Sequence, residues 1–233
     1  MAPSHPRLTS SLGQLSVRLQ ENSLIPTQQP TSLKLTRRAD YYEQRCVKYP
    51  DRACFHCYTE FLHALLLEAT PQVTSFVPQP FRMLVGREPY IPDVYVVRDA
   101  RMEVLELKPR GEFESKKEVA LRAFFERYDM QFRVVSNESV LTQERLALHW
   151  LHIVQVLAQA QYQGQDTAVE EQRLFDDAKQ VSSLSVGTLL GDTLDAEHYR
   201  RQLALFRLLH RHDLHCDLSE KSLDYDTEVT AWS

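Results

Sequence analysis

The chain has no run of about 18 apolar residues, so it offers no candidate membrane-spanning helix. Its first residues, MAPSHPRLTSSLG, lack an apolar core and do not read as a secretory signal. No internal repeat is visible, which argues against solenoids and propellers. Cysteine is sparse, with four residues at Cys46, Cys54, Cys57 and Cys216. Cys54 and Cys57, with His56 and His63 nearby, look like half of a structural zinc site, but such a site needs four ligands and the second pair is missing. Both cysteines also fall at helical spacing on an apolar segment. Free thiols in a reducing cytoplasm are the simpler expectation, with no disulfide.

What remains is ordinary globular composition. The 233 residues are 43% hydrophobic and 25% charged, enough for one medium domain and a small second one. Charge is uneven within the net −5: residues 1–50 carry 7 Lys/Arg against 3 Asp/Glu, whereas residues 137–233 carry 8 against 16. The N-terminal stretch is rich in Ser, Thr, Pro and Gln and has no periodicity. It predicts a flexible basic tail over residues 1–39, in which Lys34, Arg37 and Arg38 either contact phosphates or simply solubilise.

The most informative segment runs from Pro92-Asp93 to Glu106-Leu107-Lys108. Each part sits in a short apolar run, Tyr90 to Val97 and Met102 to Pro109, and such runs read as buried strands. Buried charges are costly unless paired or bound to metal. If the chain turns between Asp99 and Ala100, paired residue numbers sum to 199 and Asp93 lies opposite Glu106. Residues two apart share a face, so Asp93, Glu106 and Lys108 then converge beside Tyr95, Val97, Met102 and Val104. Val94, Val96, Leu105 and Leu107 take the other face, and a sheet apolar on both faces predicts helices on both sides. A three-residue loop would separate the acids. Two readings stay open on the residues alone: a structural ion pair of Lys108 with an acid, or a site for a hard divalent cation, which takes oxygen ligands.

Around this segment the pattern predicts a helix over residues 55–68 carrying Glu60, and a strand over residues 73–85 broken by Pro78 and Pro80. A further helix over residues 115–128 has Ser115 as N-cap and Glu118 as its capping-box partner, and a last strand covers residues 131–136. Beyond it, residues 141–157, 169–181, 185–190 and 195–210 read as helical. Residues 214–218 and 223–230 alternate like a hairpin turned at Ser219 to Ser222. Helices followed by a hairpin suggest a winged-helix-like unit over residues 138–233. Arg200, Arg201, Arg207 and Arg211 make its last helix basic, as DNA recognition requires, but the hairpin is acidic, which favours docking a protein. His210, His212 and His215 read as exposed side chains rather than a metal cluster. His149 and His152 read as surface or domain-interface residues, and Trp150 as core.

Between about Cys54 and Ser136 the chain resembles the catalytic domain of TnsA, the restriction-endonuclease-like subunit of heteromeric bacterial transposases. The resemblance rests on the glutamate helix, with thirteen residues from Glu60 to Val73, and on Val-x-x-Phe-x-x-Gln-Pro ending at Gln79-Pro80. Tyr-x-Pro-Asp at Tyr90 to Asp93, Glu-Leu-Lys-Pro from Glu106, and the closing Phe-Arg-Val-Val from Phe132 complete it. It implies an α/β fold, a restriction-endonuclease-like mixed sheet flanked by helices over residues 40–137. It implies Glu60, Asp93, Glu106 and Lys108 as the catalytic set of the PD-(D/E)xK type. That family allows Glu or Gln at the second motif acid, and this chain has Glu106. On this reading Asp93, Glu106, Glu60 and the Leu107 carbonyl hold Mg2+, with Mn2+ as a substitute, Lys108 positions the attacking water, and Gln79 supports the site. The implied partners are transposon-end DNA, a DDE transposase (TnsB-like) and an AAA+ ATPase (TnsC-like), with no membrane, in the bacterial cytoplasm at the nucleoid. An acidic chain delivered to DNA by a partner fits that role. A stand-alone restriction, repair or junction-resolving nuclease on the same fold, and a non-catalytic adaptor, are the alternatives.

Overall fold

The computed structural model describes residues 15–20, 23–31, 40–191 and 195–232. The first half contains β1 (Val17–Leu19), β2 (Tyr42–Arg45), β3 (Arg52–Phe55), α1 (Tyr58–Glu68), β4 (Val73–Pro78), β5 (Met83–Val85) and β6 (Glu88–Tyr90). Then come β7 (Val94–Arg98), β8 (Arg101–Lys108), α2 (Ser115–Glu126) and β9 (Met130–Ser136). The second half holds α3 (Asn137–Leu141), α4 (Glu144–Tyr162), α5 (Ala168–Lys179), β10 (Leu184–Ser185), α6 (Val186–Leu190), α7 (Asp195–His210), β11 (Leu214–His215) and β12 (Glu228–Ala231). The architecture is mixed α/β.

A four-stranded sheet in the order β4-β7-β8-β9 forms the centre, antiparallel except for the parallel β8–β9 pair. Its hairpin register is the one the sequence pattern requires: Val94 pairs with Leu105 and Arg98 with Arg101. The turn is the two residues Asp99 and Ala100, at φ 47° and 60°. Two left-handed residues in succession match the twist of the flanking strands, which is why so short a loop closes here. The face partition follows. Val94, Val96, Leu105 and Leu107 pack with Phe61, Leu62 and Leu65 of α1 and with Ala147 and Val154 of α4. Tyr95 and Val104 pack with Leu121, Phe124 and Phe125 of α2.

Several expectations need correction. The helix begins at Tyr58 rather than at residue 55, because Arg52–Phe55 pairs with Tyr42–Arg45 as a strand. Cys54 therefore lies in a strand and Cys57 at the helix cap, not on one helical face. Cys46, Cys54, Cys57 and Cys216 are all free. Glu114, not Ser115, occupies the cap of α2 and makes no side-chain cap bond; Glu118 binds Arg122 at 2.7 Å instead of closing a capping box. The N-terminal segment is not a free tail over residues 15–20 and 23–31. Val17–Leu19 pairs with Met83–Val85, and Leu15, Val17, Leu19 and Leu24 cover the α2 side of the core. Lys34, Arg37 and Arg38 lie outside the described residues.

In the second half, helices α4 to α7 surround a core of Trp150, Ile153, Leu157, Leu203 and Phe206. The last two strands are shorter than their pattern suggested and close no tight turn at Ser219. Leu214 pairs with Ala231 and His215 with Thr230, and Leu184–Ser185 adds a third strand on the other edge of β12. Helix α4 serves both cores, since Ala147 and Val154 face the first and Trp150 and Ile153 the second. His149 Nδ1 donates to the Leu218 carbonyl at 2.8 Å, and His152 meets the Phe206 ring edge-on.

His210 is buried, against expectation, and its Nε2 lies 2.7 Å from Oε2 of the fully buried Glu68. The other oxygen of Glu68 accepts the backbone N–H groups of Val47 and Lys48 at 2.8 and 3.0 Å. Lys48 Nζ donates to the carbonyls of Leu67, Glu68 and Thr70, which satisfies the open end of α1. Burial pushes the Lys48 ammonium down to about 8. This polar node ties α7 to the end of α1. Glu68→Ala would strand two N–H groups and an imidazole, and should lower unfolding free energy by about 3 kcal/mol in urea titration. A loss under about 1 kcal/mol would show the node to be incidental. Conversely, Ala100→Gly relieves a left-handed alanine and should add about 0.5 kcal/mol or more in the same measurement.

Candidate active site

The candidate site forms where the ladders stop. Pro78, Pro80 and Pro92 have no N–H to give, so β4 and β7 stop pairing at this end of the sheet. Strand β8 continues past them, still paired to β9 through Glu106, Leu107 and Lys108. The Leu107 N–H consequently finds no strand partner on the β7 side and donates instead to Asp93 Oδ2 at 2.6 Å. A residue's N–H and C=O point to the same edge of a strand, so the Leu107 carbonyl also faces this opening.

Glu106 is buried. Its Oε2 accepts from the Tyr90 hydroxyl at 2.6 Å and its Oε1 faces Lys108 Nζ at 3.0 Å. Lys108 keeps 41% of its side chain exposed, so it bridges the acids and solvent. Glu60 stands in the first turn of α1, where a carboxylate suits the helix dipole. Its Oε2 accepts from the His56 N–H at 3.0 Å and from Gln79 Nε2 at 2.8 Å, and its Oε1 meets the Cys57 thiol at 3.3 Å. Glu60, His63, Asp93 and Leu107 line one small cavity. The structure thus brings together Glu60, Gln79, Asp93, Glu106, Leu107 and Lys108 from a helix, a bend and two strands.

The electrostatics are unbalanced. Burial raises the Asp93 carboxyl well above the usual carboxylate range, and Glu106 and Glu60 push it further; Lys108 and the Leu107 N–H oppose this. Burial alone would lower the Lys108 ammonium, but Asp93 and Glu106 outweigh it and leave it raised. Burial, then Glu106, holds the Tyr90 phenol well above its normal value, so it stays a donor. Burial and then Arg98 push the His63 imidazole down to about 4, which keeps it uncharged near neutrality. Three carboxylates face one ammonium, an excess of negative charge that a single structural ion pair does not balance. The donor set, all hard oxygens, fits Mg2+ by chemistry. Among the described residues, no three His, Cys, Asp or Glu side chains stand close enough to form a ready metal-holding group. The oxygens of Glu60 and Glu106 and Oδ2 of Asp93 are directed at N–H, O–H and S–H donors instead.

The two other residues proposed from sequence to touch DNA lie elsewhere. Arg200 makes paired bonds to Glu170 at 2.8 and 3.0 Å, and Arg201 donates to the Leu189 carbonyl at 2.9 Å. Sequence reasoning gave no role to Tyr90, although it lay within the quoted motif, nor to Lys117. The Lys117 ammonium sits 4.2 Å from the centre of the Tyr90 ring, so it borders the site. Its only hint in sequence is the pair Lys116-Lys117 at a predicted helix start. No known protein-family model matches the chain, and no curated protein matches it.

Crowded acids should cost stability. Asp93→Asn keeps an oxygen for the Leu107 N–H and removes one charge. It should raise the thermal midpoint at neutral pH by about 2–4 °C, on the order of 1 kcal/mol. Because the folded carboxyl is raised, its penalty is absent below its unfolded value of about 3.9 and grows as pH rises through the folded value. The gain in the variant should therefore shrink toward pH 4 in scanning fluorimetry. A midpoint lowered at neutral pH would contradict this.

Proposed function

We propose that this chain is a divalent-metal-dependent DNA endonuclease of the restriction-endonuclease-like kind, with a winged-helix-like C-terminal unit. Its role would be that of TnsA: cutting the non-transferred (5′) strand at transposon ends, beside a DDE transposase and an AAA+ regulator. The observation that carries the reading is the end-of-ladder opening, where Asp93, Glu106, Lys108 and the helix residue Glu60 meet around Leu107. Resemblance to TnsA in motif order and spacing supports the assignment to transposition.

Asp93, Glu106, Glu60 and the Leu107 carbonyl would hold Mg2+. When bound, Mg2+ supplies charge neutralisation at the scissile phosphate and activation of a water. Tyr90 keeps Glu106 oriented by its hydroxyl bond. Lys108, half-exposed beside the acids, is placed to orient the attacking water and to stabilise the negative charge that develops on the phosphate. Lys117 has no carboxylate partner among the described residues and lies over the ring of Tyr90, which holds Glu106, so it would take a DNA phosphate.

The C-terminal unit supports a docking role better than DNA recognition. Arg200, Arg207 and Arg211 pair with Glu170, Glu171 and Asp213, and Arg145 pairs with Glu220. Their charge is spent inside the unit, and the surrounding excess is acidic.

The test is strand-specific cleavage of labelled transposon-end DNA with Mg2+, with and without the cognate transposase. Asp93→Ala and Lys108→Ala should each lower cutting by about 100- to 1,000-fold in folded protein. Lys117→Ala should weaken DNA binding and reduce its salt slope by about 1. Partner-independent cutting would favour a stand-alone nuclease. No Asp93-dependent cut in any mixture would leave an adaptor as the better account.

A further inference from the structure

Hydrogen bonds connect the N-terminal arm to the candidate site, and they form a directed chain. Gln28 Nε2 donates to the Cys54 carbonyl at 2.8 Å and to Gln79 Oε1 at 3.0 Å. Both of its targets are acceptors, so the amide end of Gln28 is fixed without ambiguity. Gln79 accepts at Oε1, which forces its own Nε2 toward Glu60 Oε2, 2.8 Å away. The His56 N–H reaches the same oxygen at 3.0 Å, and Thr31 Oγ1 holds the His56 ring at 2.8 Å. Two routes from the arm thus end on one oxygen of Glu60. Among the described residues its other oxygen meets only the Cys57 thiol, a weak donor.

The backbone of Gln79 is fastened in the same way. It is 4% exposed and left-handed at φ 40°, a strained conformation for a residue with a β-carbon. Its N–H donates to the Asp93 carbonyl at 2.8 Å, and its own carbonyl accepts from the Gln29 N–H at 3.0 Å. Thr27 N–H adds a bond to the Pro80 carbonyl at 3.2 Å, and Leu24 packs into the core beside it. The arm therefore holds the strained bend from one side while the Asp93 strand holds it from the other.

We propose that Gln28 is a positioning residue of the site: through Gln79 it pins one oxygen of Glu60 and leaves the other, met by a weak thiol donor, for the cation. This rests on the reading of the acids as a metal site. The arm is then part of the active site rather than a tether to it, and an arm that lifts off unmakes the metal seat without touching an acid.

The experiment is Mn2+ binding to the purified full chain by calorimetry or electron paramagnetic resonance, with thermal midpoints measured in parallel. Gln28→Met keeps the shape and removes both donors. It should weaken Mn2+ affinity by about 10-fold or more while the protein stays folded. Should Gln28→Met not fold, Gln28→Asn, too short to span both acceptors, should give the same loss. Glu60→Gln is the reference for a lost ligand. Unchanged affinity in folded Gln28→Met, with Glu60→Gln impaired, overturns the positioning role alone. No Mn2+ binding by the wild type, or none that depends on Glu60, overturns the metal reading and this role with it.

Discussion

Everything about the candidate site depends on the register of one hairpin. Side chains alternate along a strand, so a slip of one residue would send Asp93 or Glu106 to the opposite face. The two-residue turn at Asp99 and Ala100 prevents that slip, at the cost of two left-handed residues without glycine. The same register assigns Val96 and Leu105 to the helix α1 side and Tyr95 and Val104 to the α2 side. Burial of those apolar sets in turn enforces the register, because any slip would expose both. The turn and the two cores are thus mutually determining, and the acids are placed as a consequence.

A second constraint comes from where the sheet stops. Three prolines end the pairing of β4 and β7, while β8 runs on against β9. The unpaired edge of β8 would be an orphaned backbone group in the interior if Asp93 did not accept from Leu107. The carboxylate is therefore held by a need of the fold, and it is held where two other acids crowd it. That combination, structural fixation of a destabilised charge, is a reason to regard the opening as functional rather than as a core ion pair. The Glu106–Lys108 contact alone would not distinguish the two, since a salt bridge is also what a purely structural reading requires.

How much of this was legible in sequence varied with the range of the interaction. The hairpin register and its two apolar faces follow from alternation and one turn, all within Tyr90 to Lys108; the pairing stops at Val94 and Leu105, one position short of Asp93 and Glu106. The helix Asp195–His210 was legible from its apolar period. What failed depends on partners distant in sequence. Residues 55–57 look helical beside Phe61 and Leu62, and only the pairing of residues 52–55 with residues 42–45 puts Phe55 in a strand and starts the helix at Tyr58. His210 looks like a surface histidine at a helix end, and Glu68, 142 positions away, makes it a buried one. The arm at residues 23–31 has the composition of a disordered tail, because its bonds are mostly backbone and amide contacts that leave no apolar pattern.

Glutamines in such a segment carry a consequence for how the site and the fold are joined. A polar arm bound by a few directed hydrogen bonds contributes little net stability, since each replaces a bond to water. The apolar contacts of Leu15, Val17, Leu19 and Leu24 supply most of its hold on the domain. Those contacts fall on the α2 side of the core, whereas Gln28 and Thr31 act at the α1 end, beside Glu60. Affinity and precision are therefore separated along the same arm: one part anchors it, and the other orients the site. A change confined to the anchoring part would loosen both together, while a change at Gln28 would disturb orientation and leave the anchor intact. For the proposed nuclease, that division places the setting of Glu60 under the control of a segment that crosses no catalytic strand.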